Sequence, residues 1–296
     1  MNTEQMTARI AGGQGFIAAL DQSGGSTPKA LRGYGVDDSE WSGDDEMFAQ
    51  IHQMRSRVIT SPCFGSGKVI GAILFEKTMD GDVDGKPAAD ALKARGIVPF
   101  IKVDQGLAEE ADGVQLMKPL DKLPALLEKS VAKGMFGTKM RSVIKSASAT
   151  GIAAVVAQQF EVGAQIAQAG LMPMLEPEYD ITAQDRSKGE AILLAEIMKG
   201  LDALPEGRQV MLKLSIPVTP GHYAPAIAHP KVLRVVALSG GYSTDDACAH
   251  LARNPGMIAS FSRGLLQDLR KGQSDAEFDG ALGKAIDQIA KASVAG

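Results

Sequence analysis

The stretch LMPMLEPEYDITAQDRSKGEAILLAEIMKGLDALPEGRQVMLKLS, Leu171 to Ser215, decides the fold. It opens with an apolar run, Leu171–Glu178, that ends in charge, and closes with another, Val210–Ser215. Between them, Lys188–Leu201 repeats apolar residues every three and four positions, which gathers them on one face of a helix. Strand, helix, strand, with both strands nearly continuously apolar, is the pattern of parallel strands covered by helices. Working outward, the same unit recurs. Six further runs, Gly15–Asp21, Val69–Glu76, Ile97–Asp104, Phe136–Arg141, Leu233–Ser239 and Met257–Arg263, bring the strand candidates to eight. Helix patterns lie between them at Leu120–Lys133, Gly151–Ala169 and Thr244–Arg253, and Asp275–Ala292 reads as a closing helix. Eight such units within about 250 residues predict an α/β fold of the closed (β/α)8 TIM-barrel type. The first connection is longer and holds an extra helix, Ser42–Arg57, whose Asp44, Asp45 and Glu46 suit a positive helix N-terminus. No Pro/Gly/Ser linker divides the chain, so a single domain is expected over residues 1–296. The alternative is an open doubly wound sheet, which would carry a GxGxxG turn after an early strand if it bound a dinucleotide; Gly24-Gly25-Ser26 is not one.

Composition narrows the function. The formal net charge is −4 and the basic residues are scattered singly, which argues against nucleic acid as a partner. No apolar run approaches the roughly 20 residues that cross a bilayer, and Met1–Gly13 is polar where a signal peptide would be apolar. A cytoplasmic protein that makes no membrane contact is expected. Cys63 and Cys248 lack a CxxC partner, and His52, His222, His229 and His250 form neither HExxH nor a paired spacing. Neither a thiol redox site nor a catalytic metal has ligands to build on.

Strand parity places the charges. If Val210, Leu212, Leu214 and Ile216 face the helices, then Met211, Lys213 and Ser215 face the barrel interior. An interior ammonium tends to lose its proton and become a nucleophile toward carbonyls. A structural ion pair, or a side chain reaching from the strand end to water, is the competing reading of Lys213. The same count sends Glu176 and Glu178 inward at the end of their strand, Lys139 and Arg141 in the fourth, and Lys102 and Asp104 in the third, while Asp21 ends the first. Barrel enzymes hold their active sites at that C-terminal end. Two donor groups flank the cluster. Ser239-Gly240-Gly241 follows strand seven and Arg263 ends strand eight, where barrels often bind phosphate; Ser23, Gly24, Gly25, Ser26 and Lys29 follow strand one. Two anion sites around one lysine suggest a substrate phosphorylated at both ends.

Taken in order, FIAALDQSGGSTPKAL (Phe16–Leu31), GAILFEKTMD (Gly71–Asp80), VPFIKVDQGL (Val98–Leu107), FGTKMRS (Phe136–Ser142), EPE (Glu176–Glu178), VMLKLSIP (Val210–Pro217), LSGGYS (Leu238–Ser243) and ASFSRGL (Ala259–Leu265) span most of the chain. This series resembles the class I fructose-1,6-bisphosphate aldolases, specifically the shorter bacterial form. The resemblance implies that Lys213 forms the imine and Glu176 is the acid/base for dehydration. It also implies that Asp21 takes the proton of the substrate's C4 hydroxyl and that Lys139 is the second lysine beside the imine, lowering the pKa of Lys213. It assigns Ser239, Gly240 and Arg263, with Gly241 beside them, to the C1 phosphate, and Ser23, Ser26, Lys29 and Lys102 to the C6 side. Arg141 and Glu178 are expected near the substrate or in the network that supports it. Such an enzyme requires no cofactor and no metal, and a homo-oligomer is expected only from the family. Animal-type members carry a C-terminal tyrosine that exchanges the C3 proton; the last tyrosine here is Tyr242, leaving Glu176 as the nearest candidate. Those members also have an acid at the position of Gln22 and a lysine at that of Gln105. Tagatose 1,6-bisphosphate, which differs only at C4, is the alternative substrate, and a non-catalytic binding barrel is the alternative from another class.

Overall fold

A computed structural model describes residues 1–295. Eight parallel strands run in chain order around the sheet: β1 (Phe16–Leu20), β2 (Val69–Leu74), β3 (Val98–Lys102), β4 (Gly137–Ile144), β5 (Met172–Tyr179), β6 (Val210–Ser215), β7 (Val232–Leu238) and β8 (Met257–Ala259). Just beyond β8, the Phe261 carbonyl accepts from the Ala19 N–H at 3.3 Å, which draws the last strand against the first. The result is a nearly closed (β/α)8 barrel, with helices between consecutive strands. Among the described residues no helix is long and apolar enough to cross a membrane.

Parity holds where it was read most closely. Leu212 and Leu214 of β6 join the large core beneath the helices, whereas Met211 joins an interior cluster with Ile17, Phe100, Met174, Val236 and Ile258. The interior is therefore apolar in its lower half. One interior step further along the same strands come Lys102, Glu176 and Lys213. Space inside is tight: a Cβ on Gly137 would lie 2.4 Å from the Met172 carbonyl oxygen and 3.0 Å from Phe100 Cδ1, so the position requires glycine.

The helices follow their apolar periodicity. In α7 (Ala149–Gln168), Ile152, Val155, Val156, Val162 and Ile166 are buried, each contributing about 1.5–3 kcal/mol of transfer free energy. α6 (Leu123–Ala132), α8 (Arg186–Ala203), α10 (Thr244–Leu251), α12 (Asp275–Ser293) and the extra helix α3 (Gly43–Thr60) match the sequence reading to within a few residues. Other elements differ from it. Ser26 and Lys29, read as part of the donor group after the first strand, lie in helix α2 (Ser26–Tyr34). The Met257–Arg263 run leaves the strand after Ala259, and Arg263 begins the short helix α11 (Arg263–Leu266) instead of ending β8. The fourth run continues to Ile144, where Val114–Gln115 pairs with it antiparallel.

The polar N-terminus forms α1 (Thr3–Gly12), fixed by a capping box between Asn2 and Gln5. Met6 and Ile10, four residues apart, pack into the interior cluster, and Arg234 donates to the Ala11 carbonyl at 2.7 Å. α1 thus covers the N-terminal mouth of the barrel and leaves the C-terminal mouth as the accessible end.

Candidate active site

The charged residues that parity sent inward meet at the C-terminal end of the barrel. Lys139 of β4 is the hub: its Nζ lies 2.8 Å from Asp21 Oδ2, 2.9 Å from Glu176 Oε2 and 3.7 Å from Asp104 Oδ2. Lys213 of β6 faces the other oxygen of the same glutamate, Nζ to Oε1 at 3.0 Å. Lys102 pairs with Asp104 at 2.6 Å. Three carboxylates and three ammonium groups therefore form one connected, formally neutral cluster. Lys139, Glu176 and Lys213 are each no more than 4% exposed. Asp21 and Asp104 lie just past the ends of β1 and β3, so the cluster draws on β3 through Lys102, on β4, β5 and β6, and on the loops after β1 and β3.

Burial by itself would raise the Asp21 carboxyl pKa, but Lys139 and Lys213 reverse that and hold it well below the usual carboxylate range. Asp104 behaves likewise, with Lys139 and Lys102 overcoming its burial. For Lys139 burial acts downward, and Asp21, Glu176 and Asp104 together raise its pKa well above the ordinary lysine value. Lys139 is thus a fixed ammonium. Lys213 has one carboxylate neighbour within ion-pair distance among the described residues, and that carboxylate is shared with Lys139.

Local backbone features place these groups. β5 and β6 pair at only two positions, Met174 with Met211 and Leu175 with Leu212. Above that point the Ser215 hydroxyl takes over, donating to the Tyr179 carbonyl at 2.7 Å and accepting from the Tyr179 N–H at 3.0 Å. Ser215, read as an interior residue, in fact spans the gap between two strands. Glu176 and Lys213 lie on this loosened stretch of the seam. Gln159 of α7, 1% exposed, accepts from the Glu176 N–H at 3.2 Å and donates to Ser142 Oγ at 2.9 Å, fixing β4 against β5 from behind.

The remaining site residues fall into three groups. Arg141 and Glu178 pair with each other nearer solvent, and the Arg141 N–H reaches Asp104 Oδ2 at 3.2 Å. Burial of Arg141 acts to lower its pKa, but Glu178 more than compensates and raises it. In the loop after β7, Gly241 comes close to Arg263, since a Cβ on it would lie 3.8 Å from the guanidinium, and Gly240 has φ +61° against Ile181. In the loop after β1, Ser26 Oγ donates to the Ser23 carbonyl at 2.8 Å and accepts from the Ser23 N–H at 3.0 Å, closing the turn into α2. Lys29 is exposed and makes no ion pair among the described residues. Lys102, expected beside this group, is instead engaged with Asp104.

Sequence reasoning missed several supporting residues. Arg55 of α3 is fully buried and holds the loop after β1 by donating to the Gln22 carbonyl at 2.5 Å and to Gln22 Oε1 at 3.1 Å. Burial lowers its pKa to about 10. Gln22 in turn donates to Ser262 Oγ at 2.5 Å, joining the loops after β1 and β8 across the closing seam. Ser260 lies one interior step beyond Ile258, and its buried hydroxyl lacks a hydrogen-bond partner among the described residues. The apolar-to-polar step from Ile258 to Ser260 in the eighth run was the available signal.

The profile of the family described as "Fructose-bisphosphate aldolase class-I" matches residues 3–256. Among solved structures, fructose-bisphosphate aldolase from Plasmodium falciparum, in a ternary co-crystal with TRAP and a small-molecule inhibitor, superposes with TM-score 0.79 at 19% identity, covering 99% of this chain and 95% of that one. A Corynebacterium glutamicum protein superposes with TM-score 0.54 at 15% identity, over 98% of this chain and 92% of that one. At these identities the two structures show a shared fold.

Proposed function

The chain belongs to the class I fructose-bisphosphate aldolase family, and on that premise we propose that it reversibly cleaves fructose 1,6-bisphosphate into dihydroxyacetone phosphate and glyceraldehyde 3-phosphate through an imine on Lys213. The observation that carries this reading is one buried glutamate shared by two lysines, with Glu176 Oε1 3.0 Å from Lys213 and Oε2 2.9 Å from Lys139. Lys139 is held as an ammonium by its three carboxylates, so Lys213 is the lysine free to give up its proton, and Glu176 is placed to take it. The resulting neutral amine attacks the C2 carbonyl. Glu176, now a carboxylic acid, returns a proton to the carbinolamine hydroxyl, which leaves as water.

Asp21 stays ionised through the neutral range and is the acceptor for the C4 hydroxyl proton. It is a weak base while Lys139 is paired to it; because Lys139 also contacts Glu176 and Asp104, that ammonium can lean toward them as Asp21 gains its proton. The C3–C4 bond then breaks, its electron pair moves into the protonated imine, and an enamine remains on Lys213. The loop of Ser239, Gly240 and Gly241, with Arg263, supplies backbone N–H donors and a guanidinium for the C1 phosphate. The loop of Ser23, Ser26 and Lys29 at the start of α2 serves the C6 end. Arg141 and Glu178 brace the mouth between them. The whole chain acts as one barrel domain, in the cytoplasm, in glycolysis and gluconeogenesis.

Steady-state cleavage of the two C4 epimers tests the substrate. Fructose 1,6-bisphosphate is expected to exceed tagatose 1,6-bisphosphate in kcat/KM by about tenfold or more, because a site that hydrogen-bonds one hydroxyl orientation leaves its polar groups unpaired with the other. A preference for tagatose would reassign the substrate.

A further inference from the structure

One buried ion pair takes no part in the chemistry above. Arg186, the first residue of α8, and Glu190, one turn later, are 4% and 2% exposed and pair at 2.8 Å. A buried pair of this kind adds little net stability compared with apolar side chains of the same volume, so its use is better sought in what it orients. Its free atoms do not bond within the helix. Arg186 donates to the Tyr242 hydroxyl at 3.1 Å and, through its other terminal nitrogen, to the Ile216 carbonyl. Glu190 Oε2 accepts from the Val218 N–H at 3.0 Å, and the Glu190 carbonyl lies 3.0 Å from His222 Nε2.

The pair therefore grips two loops at once. Residues 216–222 continue directly from β6, three residues beyond Lys213. Tyr242 adjoins Gly241 in the loop after β7, where its N–H donates to the Ser239 carbonyl at 3.0 Å and closes the turn. The segment leading into α8 reinforces this, since Ile181 Cγ2 lies 2.5 Å from the point a Cβ on Gly240 would occupy. A carbonyl carbon and a phosphate on the same small ligand must reach Lys213 and the Ser239–Gly241 loop together, and misplacement of about 1 Å costs about a hundredfold in rate.

We propose that the Arg186–Glu190 pair is a positioning device that sets the Ser239–Gly241 anion loop at a fixed distance from Lys213. The proposal deepens the aldolase reading and rests on it. Tyr242→Phe tests it, because this removes the tie to the anion loop and leaves both buried charges paired. Borohydride trapping is measured as a function of concentration with dihydroxyacetone phosphate and with unphosphorylated dihydroxyacetone. In the variant, the half-saturating concentration of the phosphorylated ketone is expected to rise about tenfold, with trapping of the unphosphorylated ketone unchanged and the melting temperature within about 2 °C. The double variant Arg186→Leu/Glu190→Leu, which orphans neither charge, is expected to show the same selective loss. Equal loss with both ketones would mark a purely structural role, and no change with either would show that the tie positions nothing; each overturns the proposal. If the native protein formed no adduct with either ketone, the aldolase reading itself would fall.

Discussion

Lys213→Met is expected to lower the turnover of fructose 1,6-bisphosphate by about 10⁴-fold or more while the barrel stays folded. Methionine keeps an unbranched stem of similar volume, so packing at the interior position beyond Met211 is retained. Glu176 is not orphaned by the change, because Lys139 remains 2.9 Å from its second oxygen. What disappears is the amine that faces Glu176 Oε1 and would carry the imine. Turnover and melting temperature are to be measured together. Were Lys213 merely one half of a structural ion pair, activity would fall in step with stability and stay within about tenfold of the native level at temperatures well below melting.

Lys139→Met is expected to be the most destabilising single change in the site, by about 3–5 kcal/mol at neutral pH, since it leaves buried carboxylates without their main counter-charge. The pH dependence identifies the cause. In the native protein Lys139 has a pKa raised well above its ordinary value. Its contribution is therefore fully present below the unfolded lysine pKa and is lost only as pH rises through the folded value. Asp21 and Asp104 have lowered pKa values, so their contributions are present above the unfolded carboxylate pKa and fade as pH falls through the folded ones. Without Lys139, the burial of Asp21 is opposed only by the more distant Lys213 and Lys102, and its pKa rises, while Asp104 keeps Lys102 at 2.6 Å. Lower pH then protonates the uncompensated Asp21 carboxyl and relieves the variant. Urea denaturation should show the deficit relative to the native protein shrinking from pH 7.5 to pH about 5. A deficit that does not change with pH would mean that lost packing, not uncompensated charge, is responsible.

The barrel was legible because its strands obey a two-residue period over nearly continuous apolar runs, and a lysine at Lys213 in such a run has only two faces to choose between. Parity also brought Glu176 toward Lys213, since both sit one interior step beyond a methionine on neighbouring strands. It did not show that Lys139 is the hub. Alternation fixes a side chain's face but not where a flexible four-carbon stem ends, and Lys139 could be placed among three carboxylates only once their separations were known. Lys102 turned back onto Asp104, two residues on, for the same reason. α1 escaped notice because two apolar residues, Met6 and Ile10, suffice to cover a barrel mouth, although the Asn2–Gln5 capping box was a readable sign. Arg55, Gln159 and the Arg186–Glu190 pair reach the site from helices, through backbone carbonyls and amides that have no sequence signature. Helical periodicity reports only that those positions face inward.

The central claim is that Lys213, and not the more heavily clamped Lys139, becomes covalently bound to the substrate. Reduction with sodium borohydride in the presence of dihydroxyacetone phosphate, followed by peptide mass mapping, tests it directly. The reduced adduct is expected on the peptide containing Lys213 and nowhere else; an adduct on Lys139, or none at all, would contradict the account.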